Sequence, residues 1–391
     1  MGVHDRSRPR GLRAGRAVSG ATLTVDLSAV AANTRLLASR AGGGLMAVVK
    51  ADGFGHGAAA VARTSLANGA SALGVTSVQE ALDLRTAGVG APLLSWLNPV
   101  DAAFDDALVA DVELGVPGHA HLAAVAAAAA RTRRRVRVHL HVDVGMARDG
   151  ASVTEWGGLC AAARAAEREG HVRVVGVMGH LGWADRPRDP LNRQGRERFV
   201  EAVAAARGAG LRPRVRHLAA TAATLTLPDT HFDLCRVGAG LVGIDPSGTT
   251  LLHPALTLAA PVVGVREVPA GTHVGYGRTY ATPRRTRLAL LPVGYADVIP
   301  RAASGSAWVQ LRGRRRKVVG SVSMDCIVVD IGDDAVTPGE VATVFGPGAD
   351  GEPTVADWAR WAGTLEHEIV TGIGPRVGRR VVTAGDLAVS A

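Results

Sequence analysis

Aromatic residues are scarce, at 4% of 391, and there are only three cysteines, Cys160, Cys235 and Cys326, far apart and odd in number. Neither a disulfide framework nor a metal-ligand spacing can be built from them, so no metal is expected and a reducing cytoplasm is the simplest location. No apolar run approaches the roughly 18 residues a membrane helix needs. The longest alanine-rich stretch, Leu122 to Ala130, runs straight into arginines. An export signal is also missing. Residues 1–18 are rich in Arg and Gly, lack an apolar core and read as a disordered basic tail. No G-x-G-x-x-G turn follows an early strand, which argues against an open dinucleotide-binding sheet.

The formal net charge of +9 invites a nucleic-acid reading. Much of the excess, however, sits in the tail and in two clusters, Arg131 to Arg135 and Arg312 to Lys317. The former ends an alanine-rich helix, where cations meet the helix dipole favourably. The latter reads as a turn between two strands. With few aromatics and no nucleic-acid-binding motif, neither nucleic acid nor membrane is expected as a partner.

What is present is an ordinary soluble composition, 47% apolar and 20% charged, long enough for two domains. Strand-like runs begin near Leu45, Ala72, Pro92, Asp111, Val136, Val172, Arg214 and Phe232, separated by helix-compatible sequence. Eight alternating units predict an α/β fold, a (β/α)8 TIM-like barrel over residues 19–252. From about His253 the runs become short, β-rich and punctuated by Gly and Pro, predicting a β-rich C-terminal domain over 253–391. Thr22 to Asp26 is strand-like but precedes the barrel's first helix, and could join that second domain.

The most informative run is Ala47-Val48-Val49-Lys50-Ala51-Asp52-Gly53-Phe54-Gly55-His56-Gly57. A lysine at the end of an apolar strand, followed by a Gly-rich turn, has a packed stem and a free amine. Partial desolvation lowers such an amine's pKa toward the neutral form that makes Schiff bases. The same pattern also fits an ordinary surface lysine. Further unusual polar residues follow other strands: Arg148 the fifth, His180 the sixth, Thr221 the seventh and Arg236 the eighth. These are the carboxyl ends, where barrels of this kind gather functional groups. Gly238-Ala239-Gly240 would offer backbone N–H groups to a phosphate.

The lysine run resembles the VKADAYGHG motif of the alanine racemase family, and the likeness continues in order along nearly the whole chain. Asp26 to Asn33 is similar to the family's IDL…N opening, Arg148 to the arginine of DTGMxRxG, and His180, Ala184-Asp185 and Gln194 to H…AD…Q. His217 to Ala223 is similar to HxANSAA, and Arg236-Val237-Gly238 to RPG. Gly275-Tyr276-Gly277 resembles SYG, Gly294 to Asp297 GYADG, Ser323-Met324-Asp325 CMD, and Gly363 to Arg379 GTIxYE…RVPR.

The resemblance implies a pyridoxal 5'-phosphate-dependent amino-acid racemase, an isomerase interconverting L- and D-alanine with two bases. Lys50 would carry the cofactor and act on one face of the substrate. Tyr276, from a partner subunit of a homodimer with shared sites, would act on the other. Arg148 and Met324 would bind substrate, with Arg148 also on the cofactor. Arg236, braced by His180, would face the pyridine nitrogen, and Thr221, Gly238 and Ala239 would hold the phosphate. Asp185, Tyr295, Asp325 and His367 would line the entrance. Phe54 and Pro375 stand where the family has phosphate-binding tyrosines, Ala220 replaces an asparagine, and His141 stands where many members carry a carbamylated lysine. A racemase or epimerase for another amino acid, a non-catalytic cofactor binder and a decarboxylase are the competing readings. An arginine rather than a carboxylate at the pyridine nitrogen disfavours the last.

Overall fold

The computed structural model describes residues 20–383, so the expected basic tail lies outside the described residues. The chain divides into two compact units, one built mainly from Asp26–Ala255 and the other from the opening strand together with Leu256–Val381. The opening strand, β1 (Thr22–Asp26), pairs antiparallel with a strand of the second unit, Thr22 opposite Ala259.

Eight parallel strands form the first unit: β2 (Gly44–Val48), β3 (Ala72–Val75), β4 (Leu93–Ser95), β5 (Glu113–Val116), β6 (Val136–His141), β7 (Val172–Met178), β8 (Val215–His217) and β9 (Leu234–Val237). Their ladder order is β8-β7-β6-β5-β4-β3-β2-β9. The two end strands meet without a regular ladder. Asp233 N–H donates to Arg216 O at 3.0 Å and Arg236 N–H to Ala219 O at 2.9 Å, beside a 2.7 Å Arg216–Asp233 ion pair. The result is a nearly closed (β/α)8 barrel. Several of its helices start where the sequence supplies caps: Ser77 with Glu80 and Ser152 with Glu155 form reciprocal capping boxes, and Asp189 caps Pro190–Gly208.

Alternation along each strand decides what faces inward. Met46, Val48, Leu94, Met178 and Leu234 pack into one buried cluster, with Trp96 against it. The large side chains fit because small ones oppose them. A Cβ on Gly115 would stand 2.5 Å from Trp96 Cβ, and one on Gly176 would stand 2.2 Å from His139 Nδ1. Glycine at these strand positions makes room for the Trp96 backbone and Cβ and for the His139 imidazole.

The second unit carries β10 (Leu256–Pro261), β11 (Gly264–Val268), β12 (Thr286–Leu291), β13 (Trp308–Leu311), β14 (Arg314–Val319), β15 (Ile327–Gly332), β16 (Val341–Phe345) and β17 (Gly378–Val382). With β1 they form one sheet in the order β11-β12-β15-β14-β13-β16-β10-β1-β17. The arginine run is only partly a turn. Arg312 and Gly313, both at positive φ, make a tight hairpin, and Arg314 to Lys317 continue as strand β14. A short helix, Val355–Ala362, is tied to the sheet by Trp358 Nε1–H donating to Val344 O at 2.7 Å. Among the described residues no helix is long and apolar enough to cross a membrane.

Replacing Gly115 by Ala forces a methyl group against Trp96 backbone and side chain. Unfolding stability in urea should fall by about 1–3 kcal/mol; a change within about 0.5 kcal/mol would mean that the lumen repacks freely.

Candidate active site

Strand β2 ends at Val48, two residues before Lys50, and the segment beyond it is not a simple glycine turn. Ala51, Asp52, Gly53, Phe54 and Gly55 all have positive φ, from 50° to 80°, so the chain turns as one left-handed helical coil. Each non-glycine residue in that region costs about 1–2 kcal/mol. Local bonds offset the strain: Gly53 N–H to Val49 O (2.9 Å), Gly55 N–H to Ala51 O (2.9 Å) and Gly57 N–H to Asp52 O (2.8 Å). Asp52 Oδ1 also accepts from Ala58 N–H at 2.9 Å.

Glu80 ties this coil to the next unit of the barrel. One carboxylate oxygen accepts from Ala51 N–H at 2.7 Å. The other accepts from the N–H groups of Thr76 (2.9 Å) and Ser77 (3.1 Å) and from the Thr76 hydroxyl. Burial alone would raise the Glu80 pKa, but these donors outweigh it and hold the carboxyl below its ordinary range. The half-buried Lys50 amine has its pKa lowered, first by burial and then by the nearby Arg148 charge, with Glu80 opposing. Only one other lysine exists in the chain, Lys317, among 44 lysine and arginine residues in all.

Arg236, on β9, is 4% exposed. One terminal nitrogen donates to His217 O (2.6 Å) and His217 Nδ1 (3.0 Å). The other reaches Gly179 O (2.6 Å), Leu218 O (3.3 Å) and His180 Nδ1 (3.4 Å). All four terminal N–H groups are engaged, which leaves Nε–H as the uncommitted donor. The expected brace from His180 is therefore the longest of these contacts, and His217 with three carbonyls does most of the holding. Burial, then the Arg148 charge, lowers the Arg236 pKa to about 10, with Cys235 opposing. Burial and the Arg236 charge push both His180 and His217 well below the usual imidazole value, so both are neutral acceptors.

Thr221 begins the short helix Thr221–Thr226, and its hydroxyl oxygen receives the N–H groups of Gly238 (3.4 Å) and Gly240 (3.2 Å). Ala220 immediately precedes that helix, and Ala239 opens the 3-10 turn Ala239–Val242. Phe54 is buried against Gly238, where an added Cβ would meet its ring at 2.6 Å. Arg148 is exposed on the loop after β6, a loop gathered by Asp143 Oδ1, which accepts from Gly145 and Met146 N–H at 2.9 Å each. His141 lies 3.2 Å from Asp149, although its Nδ1 lacks hydrogen-bond geometry to any partner. Asp185 is exposed on the loop after β7.

The remaining candidates belong to the strand-rich unit. Tyr276 is 70% exposed in the turn Tyr276–Arg278, and its carbonyl accepts from Ser321 Oγ at 3.1 Å. Met324 and Tyr295 are exposed on two loops joined by Tyr295 N–H to Ser323 O (3.0 Å) and Ala296 N–H to Met324 O (3.0 Å). Arg376, not singled out from sequence, clamps those loops by pairing with the fully buried Asp297 (3.0 Å) and with Asp325 (2.6 Å). His367 is half-buried in Glu366–Thr371, and Pro375 is exposed in the turn before Arg376.

The profile of the alanine racemase N-terminal domain matches residues 25–246, and that of the C-terminal domain matches 255–381. The chain belongs to the alanine racemase family. It is similar to the alanine racemase of Salinispora tropica, 47% identical over 90% of this chain and 96% of the relative. The alanine racemase structure of Streptomyces coelicolor superposes with a TM-score of 0.91 at 44% identity, covering 94% of this chain and 99% of that one. Another alanine racemase structure, from Bartonella henselae, holds covalently bound pyridoxal phosphate and superposes at a TM-score of 0.84 with 26% identity, covering 93% of this chain and 99% of that one. Alanine racemases are pyridoxal-phosphate-dependent isomerases. The barrel rim fits that anionic cofactor. Lys50 and the buried Arg236 stand at that rim, and Arg148 is near enough for its charge to add to the effect of burial in lowering both of their pKa values.

Lys50 should be the lysine that reacts first. Brief treatment with pyridoxal phosphate and borohydride near neutral pH, followed by peptide mapping, is expected to label Lys50 well ahead of Lys317; equal labelling would remove the argument from its environment. Glu80→Ala leaves donors unpaired and should cost about 1–3 kcal/mol at neutral pH. Because Glu80's folded pKa lies below its ordinary 4.5, its contribution is present above that value and fades as pH falls through the folded pKa. The variant's urea midpoint should accordingly fall less steeply than the wild type's below pH 4.5.

Proposed function

We propose that this alanine racemase family member interconverts L- and D-alanine with Lys50 and Tyr276 as its two acid–base groups. The observation that carries the reading is the pairing of a desolvated lysine on a rigid left-handed coil with a buried arginine on the same barrel rim. Pyridoxal phosphate, when bound, supplies the electron-withdrawing ring that makes the substrate Cα–H acidic. Lys50 would hold it, Thr221 with the Gly238 and Ala239 N–H groups would bind its phosphate, and Arg236 would face its ring nitrogen through Nε–H. A cation there keeps that nitrogen unprotonated. No carboxylate touches Arg236 among the described residues, which favours racemisation over decarboxylation.

The chain's own side chains then divide the work. Arg148, with help from the Met324 backbone, fixes the substrate carboxylate. The Lys50 amine exchanges the Cα proton on one face, and the Tyr276 hydroxyl does so on the opposite face, as inversion requires. The exposure of Tyr276, Tyr295 and Met324 on the strand-rich unit supports a homodimer in which those residues complete a partner's barrel. Asp185, Tyr295, Asp325 and His367 would shape the entrance. Phe54 and Pro375 lack the hydroxyls of family tyrosines, which supports a second reading, a pocket that admits a larger or more polar amino acid. Three unpaired cysteines, two of them buried, agree with a cytoplasmic setting.

Cofactor-loaded protein in D2O, offered L- and D-amino acids, should exchange the alanine Cα–H with inversion, read by proton NMR and chiral chromatography. Exchange on another amino acid alone would select the second reading. Tyr276→Phe should lower kcat by about 10²–10⁴-fold and leave exchange without inversion from one enantiomer. Full inversion by that variant would remove Tyr276 from the mechanism. Specific activity should fall on dilution if the sites are shared between subunits.

A further inference from the structure

The barrel lumen holds polar groups that the reaction does not use directly. Glu113 opens β5 at the amino end of the barrel, His139 sits midway along β6, and His217 ends β8 beside Arg236. They are joined end to end. Arg236 donates to His217 Nδ1 at 3.0 Å. His217 Nε2 lies 2.8 Å from His139 Nδ1, the two rings standing nearly perpendicular at 82°. His139 Nε2 lies 2.8 Å from Glu113 Oε2, and Glu113 Oε1 receives Arg137 Nε–H at 2.6 Å. His217 is fully buried, His139 nearly so, and the Glu113 side chain is 17% exposed.

Donor and acceptor rules leave one consistent arrangement. A guanidinium can only donate, so His217 Nδ1 must be a bare acceptor and its proton sits on Nε2. That proton points to His139, whose Nδ1 must accept, which places the His139 proton on Nε2. A carboxylate can only accept, so Glu113 receives it. The sequence is directional, from a cation at the carboxyl ends of the strands to an anion at the amino ends, with two neutral imidazoles between. If Glu113 could not accept, His139 could carry its proton on Nδ1. His217 would then accept on Nε2 and turn an N–H against Arg236, donor against donor. The barrel has been shaped around this line, because Gly176 leaves the space that the His139 ring fills.

We propose that Glu113 and His139 are positioning residues that fix the tautomer of His217 and thereby hold Arg236 in place from the far end of the barrel. The catalytic consequence rests on the racemase reading, but the tautomers do not.

The test is the 15N spectrum of histidine-labelled, cofactor-loaded protein, assigned with single-site variants. His139 and His217 should both appear as neutral Nε2–H imidazoles. Glu113→Leu removes the terminal acceptor and should bring in Nδ1–H signal at one or both rings. Glu113→Gln keeps only one acceptor oxygen, for which Arg137 Nε–H competes, so the wild-type pattern should return once Arg137 is replaced as well, in the double variant Glu113→Gln with Arg137→Leu. Where alanine racemisation is measurable, Glu113→Leu should lower kcat by about tenfold with KM little changed, well short of the roughly 10⁴-fold loss when a wrong tautomer afflicts the proton-transferring histidine itself. An Nδ1–H or doubly protonated ring in the wild type would overturn the proposal, and that spectrum decides even if the leucine variant does not fold. Unchanged tautomers in a folded Glu113→Leu protein would overturn it as well. Correct tautomers in a protein without racemase activity would remove the proposed function and leave the positioning role standing.

Discussion

A cation with no carboxylate in contact lies buried at the carboxyl end of the barrel, and much of the surrounding order follows from it. An isolated charge removed from water is very costly unless its donors are met. Arg236 meets that demand with carbonyl oxygens from His217, Leu218 and Gly179 and with two imidazole lone pairs. Those carbonyls belong to the stretches at and just beyond the ends of β7 and β8, so the guanidinium also fastens the seam where the barrel would otherwise gape. Neutral His180 and His217 are the necessary complement, since a second positive charge beside Arg236 would be repelled. What the arrangement withholds is equally important. With every terminal N–H committed, only Nε–H remains to meet a ligand.

The lysine coil solves a different problem, the placement of a flexible side chain. A right-handed turn after β2 would send the backbone in another direction, and an ordinary loop would leave it loose. Five consecutive positive-φ residues are tolerated because Gly53 and Gly55 carry no Cβ, because three backbone bonds close within the segment, and because Glu80 pins Ala51 from a neighbouring helix. Glu80 is at once the acidic member of a capping box and the anchor of the Lys50 coil. Stability of the helix Val78–Thr86 and placement of Lys50 are thereby coupled through one carboxylate.

The eight barrel strands were legible because short apolar runs recur between helical stretches, and the residues beyond them carry the unusual polar groups. Lys50, Arg148 and Arg236 stood out for that reason, whereas Tyr276, in the strand-rich unit, was reached only through the resemblance to the SYG motif. The handedness of the coil did not, because Ala51, Asp52 and Phe54 carry little local preference for positive φ and are held there with the help of a contact 29 residues away. The lumen relay was equally hidden. His139 and His217 are 78 positions apart and Glu113 lies 26 before His139, and in sequence each is only a polar residue in an apolar strand. One signal was available and unused. Nearly all the cationic side chains of this chain are arginines, so a lysine at position 50 marks a place suited to an amine that can lose its proton and not to an always-charged guanidinium.

The departures from the family pattern acquire a physical meaning once the rim is seen as a cluster of cations. Phe54 cannot donate to a phosphate, yet its ring closes over Gly238, beside backbone N–H groups and the Thr221 hydroxyl. Excluding water from that corner raises the value of each remaining donor to an anion, since hydrogen bonds to charged groups strengthen as the surroundings become less polar. His141 changes the balance in another way. Its Nδ1 lies near the Asp149 carboxylate without bonding geometry, so the nearest anion belongs to Asp149 and not to position 141 itself. Against the family pattern, position 54 offers an apolar ring in place of a hydroxyl, and position 141 an imidazole in place of a modified lysine. Neither side chain adds a negative charge beside Lys50, Arg148 and Arg236, as an anionic cofactor and a substrate carboxylate would require.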